Sequence, residues 1–242
     1  MPIHTTDSIQ GQLSSKEREL LVDYLLKGGN PPQVIVEIGT WLGGGSTLHI
    51  LRELVRQGTG HLWGVEADQS IYDGMVANIR SAIPEGTSYF TPLFGFSQMI
   101  LPKWLSEQGG GLKIDFAFLD GGDSPGEQVD EFNILDPHIV VGGRVLSHDA
   151  KLRKGKWFVP FITALDHYEV VLHDISDEGL LTAVKTKDFP SAESKENARR
   201  ILKRLKSIPV ERIGRLTPRW ALRLAAMILP RSLVLRVGQG RK

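Results

Sequence analysis

Four glycines fall within seven positions, at 39, 43, 44 and 45, directly after the largely β-branched run Val34-Ile35-Val36-Glu37-Ile38. Glycine lets a backbone come close to a ligand, and the helix start that follows offers free amide donors to an anionic group. The segment reads as a cradle. Three further acids, Glu66, Asp120 and Asp149, each follow a short apolar run. A glycine loop after one strand with an acid after the next suits a nucleotide-derived cofactor, and two kinds compete. The dinucleotide fingerprint requires G-x-G-x-x-G, whereas Gly39 is followed by Thr40, Trp41 and Leu42 before Gly43. Glu37, two residues before Gly39, would also repel a pyrophosphate and welcome a cation. The residues favour a zwitterionic ligand that carries a sulfonium.

These groups need an edge to stand on. Short apolar runs predict strands over 34–38, 61–65, 88–93, 114–119, 144–147, 168–172 and 180–185. Between most of them lie helical patterns: one capped by Ser14 or Ser15, then one carrying Leu48, Ile50, Leu51 and Leu54, then stretches near 70–83, 99–105, 126–135 and 157–165. The turn Ser176-Asp177-Glu178-Gly179 is short enough to make the last two strands antiparallel. Alternating strands and helices predict a doubly wound α/β sheet with its ligand crevice at the carboxyl ends of the parallel strands. All four acids sit at such ends.

The 242 residues are 41% hydrophobic and contain no cysteine, which fits one substantial domain with an appendage. Without cysteine there is no disulfide framework, thiolate zinc site or thiol nucleophile, and the expected location is the cytoplasm. The polar start over 1–12 lacks a signal-peptide pattern, and no stretch approaches the roughly 18 apolar residues of a membrane span, so the expected protein is soluble. Residues 1–194 hold 15 Lys and Arg against 26 Asp and Glu, while residues 195–242 hold 14 against 2. An acidic body carries a basic tail.

Val36-Glu37-Ile38-Gly39-Thr40 with Gly43 resembles motif I of the class I S-adenosylmethionine-dependent methyltransferases. Phe116-Ala117-Phe118-Leu119-Asp120-Gly121-Gly122 and Val141-Gly142-Gly143-Arg144-Val145-Leu146-Ser147-His148-Asp149 resemble segments of the small O-methyltransferases related to catechol O-methyltransferase. The similarity covers about residues 30–187. It implies a Rossmann-like, mostly parallel seven-stranded sheet with the last strand antiparallel, in a domain over 1–189. S-adenosylmethionine is the implied cofactor, held by Glu37, Gly39, Thr40, Trp41, Gly43, Ser46 and Asp120, with Glu66 and Ala67 at the ribose and Phe96 and Ser97 near adenine. The implied reaction is methyl transfer to an oxygen of a small-molecule or glycan-like acceptor. This sequence also departs from the pattern. The loop has one extra residue before Ser46-Thr47, Gly122-Asp123-Ser124 replaces a His-Ser or catalytic lysine, and Ala150 replaces the Asn of the metal-dependent members.

Two routes to a deprotonated acceptor therefore remain. Asp120, His148 and Asp149 bind Mg²⁺ or a similar ion that acidifies a coordinated hydroxyl, or no metal binds and His148 or Asp123 is the general base. An adenosyl-binding protein without catalysis is a second reading, motivated by Gly122 and Ala150. A nicotinamide-dependent oxidoreductase is a third, disfavoured by the glycine spacing. Lys151, Arg153, Lys154 and Lys156 read as a solvated loop, with an acidic acceptor as their alternative partner. The extension over 190–242 has a helical run bearing Ile201, Leu202 and Leu205, and a second unit from Thr217-Pro218 with Trp220, Leu224 and Ile228 on one face. Packing against the acidic domain or within a homodimer ranks first for it, a membrane surface second and nucleic acid third.

Overall fold

The computed structural model describes residues 9–207, apart from Gly28, Asn30, Gly110 and Asp123. The candidate base Asp123 and the second helical unit from Thr217 lie outside the described residues. Strands β1 (Val34–Ile38), β2 (His61–Glu66), β3 (Phe90–Phe94), β4 (Ile114–Leu119), β5 (Ile139–Ser147), β6 (Tyr168–His173) and β7 (Leu180–Lys185) form one sheet in the order β3-β2-β1-β4-β5-β7-β6. β7 runs antiparallel to both its neighbours, and the other six strands are parallel. The chain steps outward from β1 to β2 and β3, then returns to place β4 on the other side of β1. That reversal puts the topological switch point of the sheet, where ligands bind in such folds, at the ends of β1 and β4.

Alternation along β4 explains why both sheet faces must be covered. Phe116 and Phe118 join the core beneath α1 (Ser15–Leu26), α2 (Thr47–Gln57) and α3 (Gln69–Ala82), and Tyr24 meets Phe116 edge-on at 6.3 Å. Ala117 and Leu119 join the opposite core with α4 (Ser97–Glu107), α5 (Pro125–Leu135) and α6 (Gly155–Thr163), where the Phe132 and Phe158 rings lie 5.4 Å apart. Each fully buried Phe contributes about 2–3 kcal/mol. The central strand is thereby fixed from both faces, and with it the position of the residue that follows, Asp120.

Two strand starts differ from expectation. β3 begins at Phe90, because Pro84–Tyr89 closes into a 3-10 turn in which the Thr87 hydroxyl donates to the Pro84 carbonyl at 2.6 Å. β5 begins at Ile139, five residues early, since Gly142 adopts φ +84° and the pairing with β4 shifts register between Ile114 and Phe116. A bulge accepts glycines that a plain strand would not. Helix α7 (Ala192–Lys206) opens at Ser191, and Asp166 accepts from the Ser191 amide at 2.9 Å and the Ser194 hydroxyl at 2.8 Å. Ala198, Leu202 and Leu205 pack into the α5–α6 core, and the Lys206 ammonium lies 5.8 Å from the Trp157 ring centre. The described part of the basic extension thus rests on its own domain. No helix among the described residues is long and apolar enough to cross a membrane.

Candidate active site

The switch point is tight at Gly39, which has φ +88° and where a Cβ would stand 2.7 Å from the Asp120 carbonyl. Only glycine allows the ends of β1 and β4 to meet there. From Gly39 the loop leans on β2, with the Gly39 amide donating to the Val65 carbonyl at 2.9 Å. Trp41 takes a left-handed φ of +46° and gives its amide to Glu66 Oε2 at 3.0 Å. Glu66 Oε1 accepts the Ala67 and Asp68 amides at 2.9 and 3.0 Å. Three amides therefore orient one carboxylate at the loop's outer side, and a non-glycine residue in a costly backbone region marks a place the fold over-determines.

Glu37 and Ser46 behave differently. Glu37 is fully buried under the loop, where it accepts the Ser46 hydroxyl in a short hydrogen bond and the Thr47 hydroxyl at 2.8 Å. Burial, against those two donors and with help from the negative charges of Asp120 and Glu66, pushes its pKa up to about 7. Glu37 ties β1 to the start of α2. The extra glycines also have a local cause: a Cβ on Gly44 would stand 2.4 Å from the Ile9 and Gln10 carbonyls, and one on Gly45 3.2 Å from Leu13. The chain N-terminal to α1 crosses the loop at backbone contact, so Gly44 and Gly45 serve that crossing, whereas the sequence reading gave all four glycines to a ligand. Thr40 is buried, and its hydroxyl has no partner among the described residues. An orphaned hydroxyl inside a glycine cradle fits a loop that awaits a polar ligand.

Phe96 and Ser97 diverge. Phe96 is 69% exposed, while the Ser97 hydroxyl turns inward and donates to Glu131 Oε1 at 2.6 Å. Glu131, fully buried on α5, is pushed up to about 7 by burial against the Ser97 bond, and its Oε2 has no partner among the described residues.

The remaining expected residues meet in one cluster. Asp120 is carried by β4, and His148 and Asp149 follow β5; the buried Gln128 amide group of α5 stitches these ends by donating to the Leu119 and His148 carbonyls at 3.3 and 3.1 Å. His148 Nδ1 lies 3.2 Å from Asp120 Oδ1 and 3.5 Å from Asp149 Oδ1, while Nε2 lies 3.3 Å from Glu17 Oε1. Lys154 Nζ lies 2.8 Å from Asp120 Oδ1, 2.8 Å from Asp149 Oδ2 and 3.0 Å from the Asp120 carbonyl. Glu17 also accepts the Ser176 hydroxyl at 2.6 Å and the Ser14 amide at 2.8 Å. Asp149 itself holds φ +58°, the second left-handed non-glycine residue at this rim.

Electrostatics then assign protons. Burial works against a charged His148, yet hydrogen bonds to Asp120 and Glu17 raise it from 6.5 to about 10. Burial would raise Glu17, but the bonds from His148 and Ser176 bring it down from 4.5 to about 2. Burial is likewise overcome at Asp120, held low by Lys154 and His148, and at Lys154, held high by Asp120 and Asp149. A general base must have a free lone pair near neutral pH. His148 has a carboxylate at each ring nitrogen, which favours its protonated form and speaks against the base role expected for it.

A pH dependence follows from these shifts. The raised His148 contributes stability that is complete below pH 6.5 and is lost as pH climbs toward 10, and the lowered Glu17 contributes stability that is complete above pH 4.5 and is lost as pH falls toward 2. Thermal melts of the wild type should therefore fall from pH 6.5 to 10 more steeply than those of His148→Gln. Parallel slopes would refute a buried imidazolium.

Sequence reasoning missed Glu17, Gln128, Glu131 and the special place of Lys154. The spacing of Ser14 and Glu17 does mark a helix-capping box, though nothing local marks its second partner, 131 residues away. Lys154 stands among three other cations of the same loop and is buried among acids, not solvated.

As for a metal, Asp120, His148 and Asp149 offer one ligand atom each within 4.8 Å of one another. The donor set does not fit a divalent cation: an ammonium stands between the two carboxylates, and the imidazole offers donors where a metal needs a lone pair.

The sheet order, the switch point and the loop after β1 define the class I methyltransferase fold. Residues 36–150 match the family model described as a methyltransferase domain, and the fold is that of the S-adenosylmethionine-dependent class. No curated protein matches it significantly. Similar solved structures include a proposed O-methyltransferase from Klebsiella pneumoniae (19% identity, TM-score 0.60, 73% of this chain and 82% of that one). An O-methyltransferase from Bacillus cereus in complex with S-adenosylhomocysteine is also similar (19%, 0.55, 72% and 83%). So is an rRNA methylase from Streptococcus thermophilus (12%, 0.53, 71% and 95%). With such different substrates in their descriptions and so little identity, these likenesses carry the fold and leave the acceptor to the site.

Proposed function

We propose that this chain transfers the methyl group of S-adenosylmethionine to an oxygen of a small-molecule acceptor in the cytoplasm. The observation that carries the reading is the meeting, at the β1–β4 switch point, of an amide-oriented Glu66 on one side and the Asp120, Asp149, Lys154 and His148 cluster on the other. When bound, the cofactor supplies an electrophilic methyl on a sulfonium. Glu66 would accept from the ribose hydroxyls, the loop from Gly39 to Gly43 would enclose the amino-acid end, and Phe96 and Ser97 would flank the adenine. With Glu17 beside His148, three carboxylates against two cations leave the cluster one negative charge, which suits a cationic methyl donor.

Methyl transfer needs the acceptor lone pair in line with the methyl carbon, so positioning supplies most of the acceleration. As the oxygen–carbon bond forms and the carbon–sulfur bond breaks, the hydroxyl proton passes to Asp149. Asp149 is assigned that role because it is the most exposed of the three carboxylates around His148 and Lys154. Calorimetric titration with S-adenosylmethionine, S-adenosylhomocysteine and NAD, followed by a methyl-transfer screen over phenols, sugars and carboxylates, tests the reading. Tight NAD binding with no response to the sulfonium would overturn it, and binding without turnover on any acceptor would favour the adenosyl-binding protein.

A further inference from the structure

We infer that Lys154 is the resident cation of this site, occupying the seat between Asp120 and Asp149 so that the transferase needs no divalent metal. The inference rests on the reading of this rim as the methyl-transfer site. An ammonium has three N–H donors, and Lys154 has three acceptors at 2.8, 2.8 and 3.0 Å, two carboxylates and the Asp120 carbonyl. Its side chain is only 9% exposed. The backbone beneath it is equally constrained. The Ala150 and Lys151 amides donate to the Gly179 and Glu178 carbonyls at 3.0 and 2.8 Å, and the Leu152 and Gly155 amides both return to the Asp149 carbonyl, at 3.0 and 3.3 Å. A Cβ on Gly155 would lie 2.0 Å from the Ala150 carbonyl, so glycine is what allows this turn to close just before α6. Lys154 is thus built into a folded turn and does not swing on a free loop.

Replacing a metal by an ammonium changes what the site can do. A divalent ion keeps open coordination positions that can acidify a bound hydroxyl, whereas this ammonium has spent its donors on protein acceptors. Lys154 therefore acts through its partners. It joins the ends of β4 and β5, holds Asp149 in its left-handed conformation and partly neutralises two acids that would otherwise repel each other. It is a positioning residue, and proton removal falls to a carboxylate.

The test uses the full-length protein and Mn²⁺ alone as probe, titrated by electron paramagnetic resonance with and without S-adenosylhomocysteine. The wild type should show no saturable site, and S-adenosylhomocysteine binding should ignore a chelator. Lys154→Met keeps the aliphatic stem and removes the charge, so it should bind Mn²⁺ at least about tenfold more tightly than the wild type. Adding Asp149→Asn should abolish the gain. A wild type that binds one Mn²⁺ per chain and loses it in Asp120→Asn overturns the inference. So does a Lys154→Met protein that melts cooperatively yet gains no affinity. Should Lys154→Met fail to fold, the wild-type titration decides alone. Failure of S-adenosylhomocysteine to bind would instead sink the functional reading, and the Mn²⁺ result would still be readable.

Discussion

Asp120→Asn is expected to remove detectable methyl transfer and to lower the free energy of unfolding by about 3–5 kcal/mol, the usual cost of stripping one partner from buried ions. Asp120 faces both buried cations through one oxygen, with Oδ1 3.2 Å from His148 and 2.8 Å from Lys154, and lies closer to His148 than Asp149 does at 3.5 Å. Asparagine has the same shape and can still accept one hydrogen bond, so the lost quantity is charge, not volume. Lys154 would keep Asp149 and His148 would keep Glu17, yet each buried cation would lose its ionic tie to the end of β4. Urea denaturation gives the stability change, and S-adenosylhomocysteine titration under native conditions separates a lost fold from a lost site. A penalty below about 1 kcal/mol, the range of solvent-exposed pairs, would mean that water reaches the cluster and that its charges do not govern one another.

What the sequence made legible follows the range of the forces involved. Strand and helix patterns are local, so the order of elements, the antiparallel last strand and the acids at strand ends could be read from runs such as Ile114 to Leu119. The glycine loop was legible as a loop, but Gly44 and Gly45 answer to residues 9–13, a packing partner some thirty positions away that no spacing announces. The cluster was half legible. Asp120, His148 and Asp149 carry the signal of position, whereas Lys154 owes its role to a closed turn and Glu17 owes its role to a helix laid across the sheet. Had Lys154 been solvated, as its cationic neighbours suggested, the three residues would read as a metal site. Its burial reverses that chemistry. A long-range ion pair is a property of topology, and topology enters the sequence only through the elements that build it.

Glu66→Ala should weaken S-adenosylhomocysteine binding by about 100-fold or more while lowering stability by only about 1 kcal/mol. The first figure follows from losing two hydrogen bonds between a carboxylate and ribose hydroxyls, each about 1.5–3 kcal/mol. The second follows because the amides of Trp41, Ala67 and Asp68, which Glu66 now accepts, stand at a rim where water can replace it. The competing view is that Glu66 is only a clamp, fastening the loop after β1 to the end of β2. Asp68→Ala is the matching control, since Asp68 caps α3 by accepting from the Ser70 and Ile71 amides at 2.9 and 3.1 Å. Its loss should cost a similar stability, typical of a helix cap, and leave cofactor affinity nearly unchanged. Glu66→Gln retains one acceptor and should fall between. If Glu66→Ala and Asp68→Ala both shift the dissociation constant by less than about threefold, well under 1 kcal/mol, Glu66 is a clamp. The adenosine would then have to be gripped by Phe96, Ser97 and the buried Glu131 behind it, at the neighbouring end of β3.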